Sequence, residues 1–111
     1  MRRAKSDENV ERLAQRLSAL EPQAFEEFSD LFTPRIKGYL MRHGLTASDA
    51  EDLTVSCITD TALKVDKYKL IDGVGFAAWV FTLVRHSFVD WLRKRHGNVP
   101  YIEDVAERFA G

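Results

Sequence analysis

The sequence predicts an all-α protein, a compact bundle of about four helices. Apolar residues recur every three or four positions along four successive stretches. Nowhere do apolar and polar residues alternate cleanly over a length that would make a strand. Proline and glycine fall mainly where one periodic stretch gives way to the next.

The first helix is expected over Asp7 to Leu20, with Val10, Leu13, Leu17 and Leu20 on one face and Ser6 as candidate N-cap. Glu21-Pro22 ends it. Pro22 suits the first turn of the second helix, where its missing N–H would have no partner in any case. That helix carries Phe25, Phe28, Phe32, Ile36, Tyr39 and Leu40 at core spacing and stops at Gly44. Pro34 falls near the outer face and is expected to kink the helix while sparing the core stripe.

The third helix opens on Ser48-Asp49-Ala50-Glu51, a capping-box pattern in which Ser48 and Glu51 satisfy each other's backbone amides. Its expected inner face is Ala50, Thr54, Cys57, Ile58, Thr61 and Val65. A loop, DKYKLIDGVG, leads to a fourth helix from Phe76 to His96. Gly97, Asn98 and Pro100 close that helix, and YIEDVAERFAG reads as a tail or the start of a linker.

At 111 residues, 45% hydrophobic and 30% charged, the chain suits one globular domain that buries a core without metals or disulfides. Cys57 is the lone cysteine, so no internal disulfide can form and a reducing cytoplasm is the expected setting. The opening MRRAKSDENV has basic residues but no apolar stretch behind them, so export is not expected. No apolar run is long enough for a membrane span. Sixteen Lys and Arg against 17 Asp and Glu leave a net charge of -1, so any attraction for nucleic acid must come from local clustering.

Two helical stripes do not belong to the expected core. On the fourth helix Phe76, Trp79, Val80, Leu83, Val84, Phe88 and Trp91 cover more than half the circumference. The rest holds Thr82, Arg85, His86, Val89 and Arg93, and the helix ends in the basic run Arg93-Lys94-Arg95-His96. A deeply packed helix is rigid and can place a few polar groups accurately, although ordinary solvated charges would look the same. On the third helix the outer stripe is Asp49, Asp52, Ser56, Thr59, Asp60 and Leu63. An acidic strip with one outward leucine suits a basic protein partner, and a solvated face with one stray leucine fits equally. In the loop, Lys67, Tyr68 and Lys69 combine cations for phosphate with a ring that can stack on an unpaired base, a composition many connecting loops share.

No catalytic constellation is legible. His43, His86 and His96 lack metal-site spacing, Cys57 lies on an inner face, and there is no Gly-rich phosphate loop or nucleophile motif. An enzyme is not expected, nor a metal, cofactor or small-molecule substrate.

The order AFEEFSDLFTPRIKGYL, then ASDAEDL, then GFAAWVFTLVRHSFVDWLRKR resembles region 2 of bacterial RNA polymerase sigma factors, in their compact extracytoplasmic-function group. The anchors are Asp49-Ala50-Glu51-Asp52-Leu53, and Phe76-x-Ala78-Trp79 followed by Asp90-Trp91-Leu92-Arg93-Lys94-Arg95. The resemblance implies residues 24–97 as the region 2 domain, 1–23 as an extension bearing the first helix, and 98–111 as the tail. It implies transcription initiation by contact with core RNA polymerase and the promoter -10 element. Asp49, Asp52, Ser56, Thr59, Asp60 and Leu63 would face the clamp helices of the β′ subunit. Lys67, Tyr68 and Lys69 would belong to the loop that captures a flipped base. Thr82, Arg85, His86, Arg93, Lys94 and Arg95 would face the non-template strand, and an anti-sigma factor is a further expected partner.

The chain departs from the family pattern at several points. Thr54-Val55-Ser56 stands where a hydrophobic residue and Gln-Glu usually follow Asp-Leu, Ala62 where an aromatic is common, Ala77 where a basic residue often sits, and His86 where asparagine is expected. No segment resembling the family's helix-turn-helix for the -35 element follows, so the expectation is an excised domain or an incomplete sigma factor. These departures leave a second reading open: a sigma-like mimic that occupies an anti-sigma factor without touching DNA.

Overall fold

The computed structural model describes residues 5–68 and 75–96, with side chains over 8–68 and 75–95. Its elements are α1 (Lys5–Ser18), α2 (Pro22–Arg42), α3 (Ala47–Lys64), a 3-10 turn at Val65–Lys67, and α4 (Phe76–His96). No strand occurs among the described residues. Every helix presents an apolar stripe that it cannot bury alone, and the four stripes meet in one core. The most extensive packing is between α2 and α3, and α1 lies against α2, α4 and the 3-10 turn.

The centre of the core is aromatic. Phe28, Phe32, Ile36 and Leu40 line the inner face of α2 and are fully buried, as are Phe76, Val80 and Val84 on α4. Phe28, Phe32 and Phe76 pack with ring centroids 5.1 to 5.9 Å apart, within the range of favourable aromatic pairs. On α3 the expected inner residues Ala50, Thr54, Cys57, Ile58, Thr61 and Val65 are all buried, and Leu53 joins them. Two of these are polar, and the helix satisfies them itself. Thr54 Oγ1 donates to the Ala50 carbonyl at 2.6 Å and Thr61 Oγ1 to that of Cys57 at 2.7 Å.

The helix ends explain where the sequence reading holds and where it needs correction. α2 begins at Pro22 as expected and runs unbroken through the exposed Pro34. It closes in a Schellman arrangement: Gly44 takes φ 103°, its N–H donates to Met41 O, and the Leu45 N–H donates to Leu40 O. A left-handed φ is what glycine supplies at no cost.

α1 closes in the same way, with the Leu20 N–H on Leu17 O and the Glu21 N–H on Arg16 O. The residue forced into the left-handed region is now Leu20, at φ 61°. That overturns its place on the core face. The helix stops at Ser18, and Leu20 turns outward to 86% exposure. Ser6 is also not a cap, because α1 is already formed at Lys5.

The N-cap of α3 is Thr46 rather than Ser48: its hydroxyl accepts the Asp49 N–H at 3.2 Å, while Ser48 is already inside the helix. Thr-x-x-Asp out-competes the Ser-x-x-Glu pattern because the chain leaves the Gly44 turn in an extended conformation at Thr46. On α2, Phe25 is 46% exposed and Ala24 takes the buried position, since a row through Phe28, Phe32, Ile36 and Leu40 extends back to residue 24. The expected stop at Gly97-Asn98-Pro100, the tail 98–111 and Lys69 lie outside the described residues.

Two stability measurements check these ends. Thr46→Ala should cost about 1 kcal/mol in urea unfolding, and Ser48→Ala less than about 0.5 kcal/mol. Leu20→Gly should raise stability by roughly 0.5–1 kcal/mol by removing the left-handed penalty. If Leu20→Gly lowers stability instead, the strain assigned to that turn is wrong.

Candidate functional site

α3 has two faces of opposite character. Opposite its buried residues, Asp52, Val55, Ser56, Thr59, Asp60 and Leu63 are all exposed, with Val55 at 62% and Leu63 at 75%. Helical spacing puts Val55, Asp52, Thr59 and Leu63 at the centre of that face, so the outward leucine has an apolar companion that the sequence reading missed. Apolar surface flanked by carboxylates is suited to a protein partner that supplies both cations and apolar contacts.

On α4 the exposed residues are Ala78, His86, Asp90, Lys94 and Arg95. Thr82, Arg85 and Arg93 are half-buried along the border of this strip rather than at its crest. The Arg85 guanidinium donates to Thr82 Oγ1 at 3.2 Å, and Thr82 Oγ1 in turn donates to the Ala78 carbonyl at 3.0 Å. Arg85 also lies near Tyr39 of α2. Burial pushes the Tyr39 phenol above its ordinary range, and the positive charge of Arg85 partly opposes this. Arg93 pairs with Asp90 at 4.0 Å, a carboxylate in the middle of the exposed face that the sequence reading left out. The strip is therefore basic at its C-terminal end and mixed at its centre.

The two stripes meet at one corner. Arg95 Nη2 donates to Asp49 Oδ2 at 3.3 Å, joining the end of α4 to the first turn of α3, and its guanidinium lies over the Trp91 ring at 4.9 Å. The pair is half-exposed, so it contributes about 1 kcal/mol or less and can exchange partners readily.

Tyr68 ends the 3-10 turn and is half-buried. Its ring packs on Phe76 at 5.2 Å and on Trp79 at 5.4 Å, and its hydroxyl donates to Glu11 Oε1 at 2.5 Å. Lys67 beside it is exposed. No pattern in the sequence pointed to Glu11, which lies 57 residues away from Tyr68.

Among the described residues no three His, Cys, Asp or Glu side chains converge as a metal site would require, and no helix is long and apolar enough to cross a membrane. Cys57 is buried, and burial pushes its thiol up to about 11, with Ser87 of α4 opposing the shift.

Residues 29–97 match the family model for sigma-70 region 2, and the chain belongs to that family. It is also similar to the ECF RNA polymerase sigma factor RpoE of Cereibacter sphaeroides, with 39% identity over 74 residues. That match takes in 64% of this chain and 39% of the relative, so the likeness spans well under half of the longer protein. No solved structure matches the chain.

The thiol offers a direct check on the packing of α3. With its pKa raised from the ordinary 9.0 to about 11, the Cys57 thiolate at about pH 8 should be roughly 100-fold scarcer than that of a free cysteine. Labelling by an aromatic disulfide should be at least that much slower in the native protein and become fast in urea. Rapid labelling without denaturant would show that the α3–α4 contact is open.

Proposed function

We propose that this chain is the portion of an RNA polymerase sigma factor that joins core polymerase to promoter DNA at the -10 element. The observation that carries the reading is the family match over residues 29–97, which runs from within α2 to the residue after α4 and so includes both outward faces. The outer face of α3, with Asp52, Ser56, Thr59, Asp60 and Leu63 around Val55, is the polymerase surface. Asp49 stands at its edge, where it is shared with Arg95. The DNA surface is formed by Thr82, Arg85, His86, Arg93, Lys94 and Arg95 on α4, together with Lys67, Tyr68 and Lys69 ahead of it.

The physical division of labour follows from the chemistry of each face. Unpaired DNA offers phosphates and exposed ring faces, which cations and aromatic or guanidinium planes receive. A rigid α4, packed through Phe76, Val80, Val84 and Phe88, keeps those groups in register with the strand. The acidic-apolar face of α3 repels DNA and directs that side of the molecule to protein. Nothing in this scheme makes or breaks a covalent bond; the role is one of regulated binding. An anti-sigma factor would act by covering one of these faces.

Asp52→Arg should leave the fold intact, because the side chain is exposed, and abolish capture of core RNA polymerase from bacterial lysate. Arg85→Ala and Arg93→Ala should each weaken binding of single-stranded DNA and reduce the slope of log affinity against log salt by about 0.7. A folded wild-type chain that retains neither core polymerase nor DNA would overturn the proposal in favour of a mimic that only occupies an anti-sigma factor.

A further inference from the structure

The N-terminal helix lies outside residues 29–97, yet one of its side chains holds both ends of the segment that leads into α4. The Glu11 carboxylate is half-buried, and each of its oxygens has a different donor. Oε1 accepts the Tyr68 hydroxyl at 2.5 Å, and Oε2 accepts the backbone N–H of Phe76 at 2.6 Å. Phe76 is the first residue of α4, so that N–H is one of the groups an α-helix leaves without an internal partner. A negative charge is favoured at that end of a helix. A cap of this kind normally comes from a residue next to the helix; this one comes from 65 positions away.

The packing around the carboxylate supports the contact. A Cβ placed on Gly75 would come within 3.2 Å of Glu11 Oε2, closer than most such contacts, so the absence of a side chain there leaves room for the approach. The Tyr68 ring is wedged against Phe76 and Trp79, while its hydroxyl reaches α1. One carboxylate therefore fixes the residue before the connecting segment and the first residue of the helix after it. A carboxylate near the path of a polyanion is unfavourable in itself, and here both of its oxygens are already engaged by donors.

We propose that Glu11 is a positioning residue for binding of unpaired DNA: it sets the spacing and orientation of Tyr68 and the start of α4, so that the strand meets these two already in place. The inference rests on the DNA-binding role proposed above. It assigns to α1 a part in DNA recognition through Tyr68 and Phe76 rather than by touching the strand.

The test uses the whole chain and a fluorescein-labelled single-stranded DNA, first a randomised pool and then the sequence that the wild type enriches from it. Glu11→Ala should weaken anisotropy-detected binding by roughly 5- to 20-fold, as expected for losing hydrogen bonds to a charged acceptor. The salt slope should not change, because no phosphate contact is removed. Tyr68→Phe removes only the hydroxyl and should cost several-fold. Adding it to Glu11→Ala should cost nothing further, since the two would act as one unit. Hydrogen exchange at the Phe76 amide should accelerate in Glu11→Ala with no DNA present.

Binding by Glu11→Ala equal to that of the wild type would overturn the inference while leaving the DNA role standing. A loss accompanied by a changed salt slope would also overturn it, because Glu11 would then act on the strand directly. An unaltered Phe76 exchange rate would remove the contact itself. If the wild type binds none of the DNA while Phe76 exchange responds as described, the DNA role fails and the inference falls with it. Should Glu11→Ala fail to fold by circular dichroism, Tyr68→Phe decides the matter: full DNA affinity in that variant overturns the proposal.

Discussion

The ring of Phe76 is the contact on which the rest of the arrangement depends. It is fully buried and touches Phe28 and Phe32 of α2, Tyr68 at the end of the 3-10 turn, and Trp79 one turn further along α4. Its backbone N–H is held by Glu11 of α1. Every element of the bundle except α3 thus converges on one residue, and α3 reaches the same core through Leu53, Cys57 and Ile58. Removing a buried phenylalanine costs about 3–5 kcal/mol, a large part of the stability of a domain this size. Such a centre fixes the start of α4, and with it the direction in which every later side chain on that helix points.

That rigidity explains how a nearly neutral molecule can offer two unlike surfaces. Charge is not concentrated overall; it is sorted by helix face. The outer side of α3 is acidic with two exposed apolar residues, Val55 and Leu63. The far end of α4 is basic, and at the corner between them Arg95 and Asp49 share an ion pair. The pair is weak because water reaches both partners. Either residue can turn to a group of opposite charge without a large loss in the free protein.

α1 belongs to the same body as the other helices. Leu13, Ala14 and Leu17 enter the common core, and Arg16 pairs with Glu21 and Glu27 across the turn into α2. The hydrogen bond from Arg16 holds the Glu27 carboxyl below its ordinary range. The turn itself carries Leu20 in a left-handed conformation, so the chain accepts local strain to bring α1 back along α2. The gain is the burial of the α1 stripe and the reach of Glu11 to Tyr68 and Phe76.

Much of this was legible in the sequence. The helix count and order, the full span of α4, the entry of α2 at Pro22, the stop at Gly44 and the inner face of α3 all followed from periodicity and from proline and glycine chemistry. These are local properties, set within one or two turns of chain. The family was legible for a similar reason, since short ordered motifs carry it. What failed was the competition between local alternatives: Ser48 against Thr46 for the cap, Phe25 against Ala24 for the core, and Leu20 as a core residue against Leu20 as a turn. Thr46 prevailed because the chain leaves the Gly44 turn extended there, Ala24 because it continues the buried row of Phe28, Phe32, Ile36 and Leu40, and Leu20 because it takes the left-handed position that closes α1. Arg85 and Arg93 are half-buried rather than exposed, and for Arg85 a helical wheel does not show that Tyr39 of α2 comes close to it. The sequence by itself therefore determined which segments are helical and which of their faces turn inward. Only the tertiary structure decided that Arg95 meets Asp49 and that Glu11 meets Tyr68 and Phe76. Those pairs are separated by 46 to 65 residues, and nothing in local backbone preference brings them together; it takes the shared aromatic core.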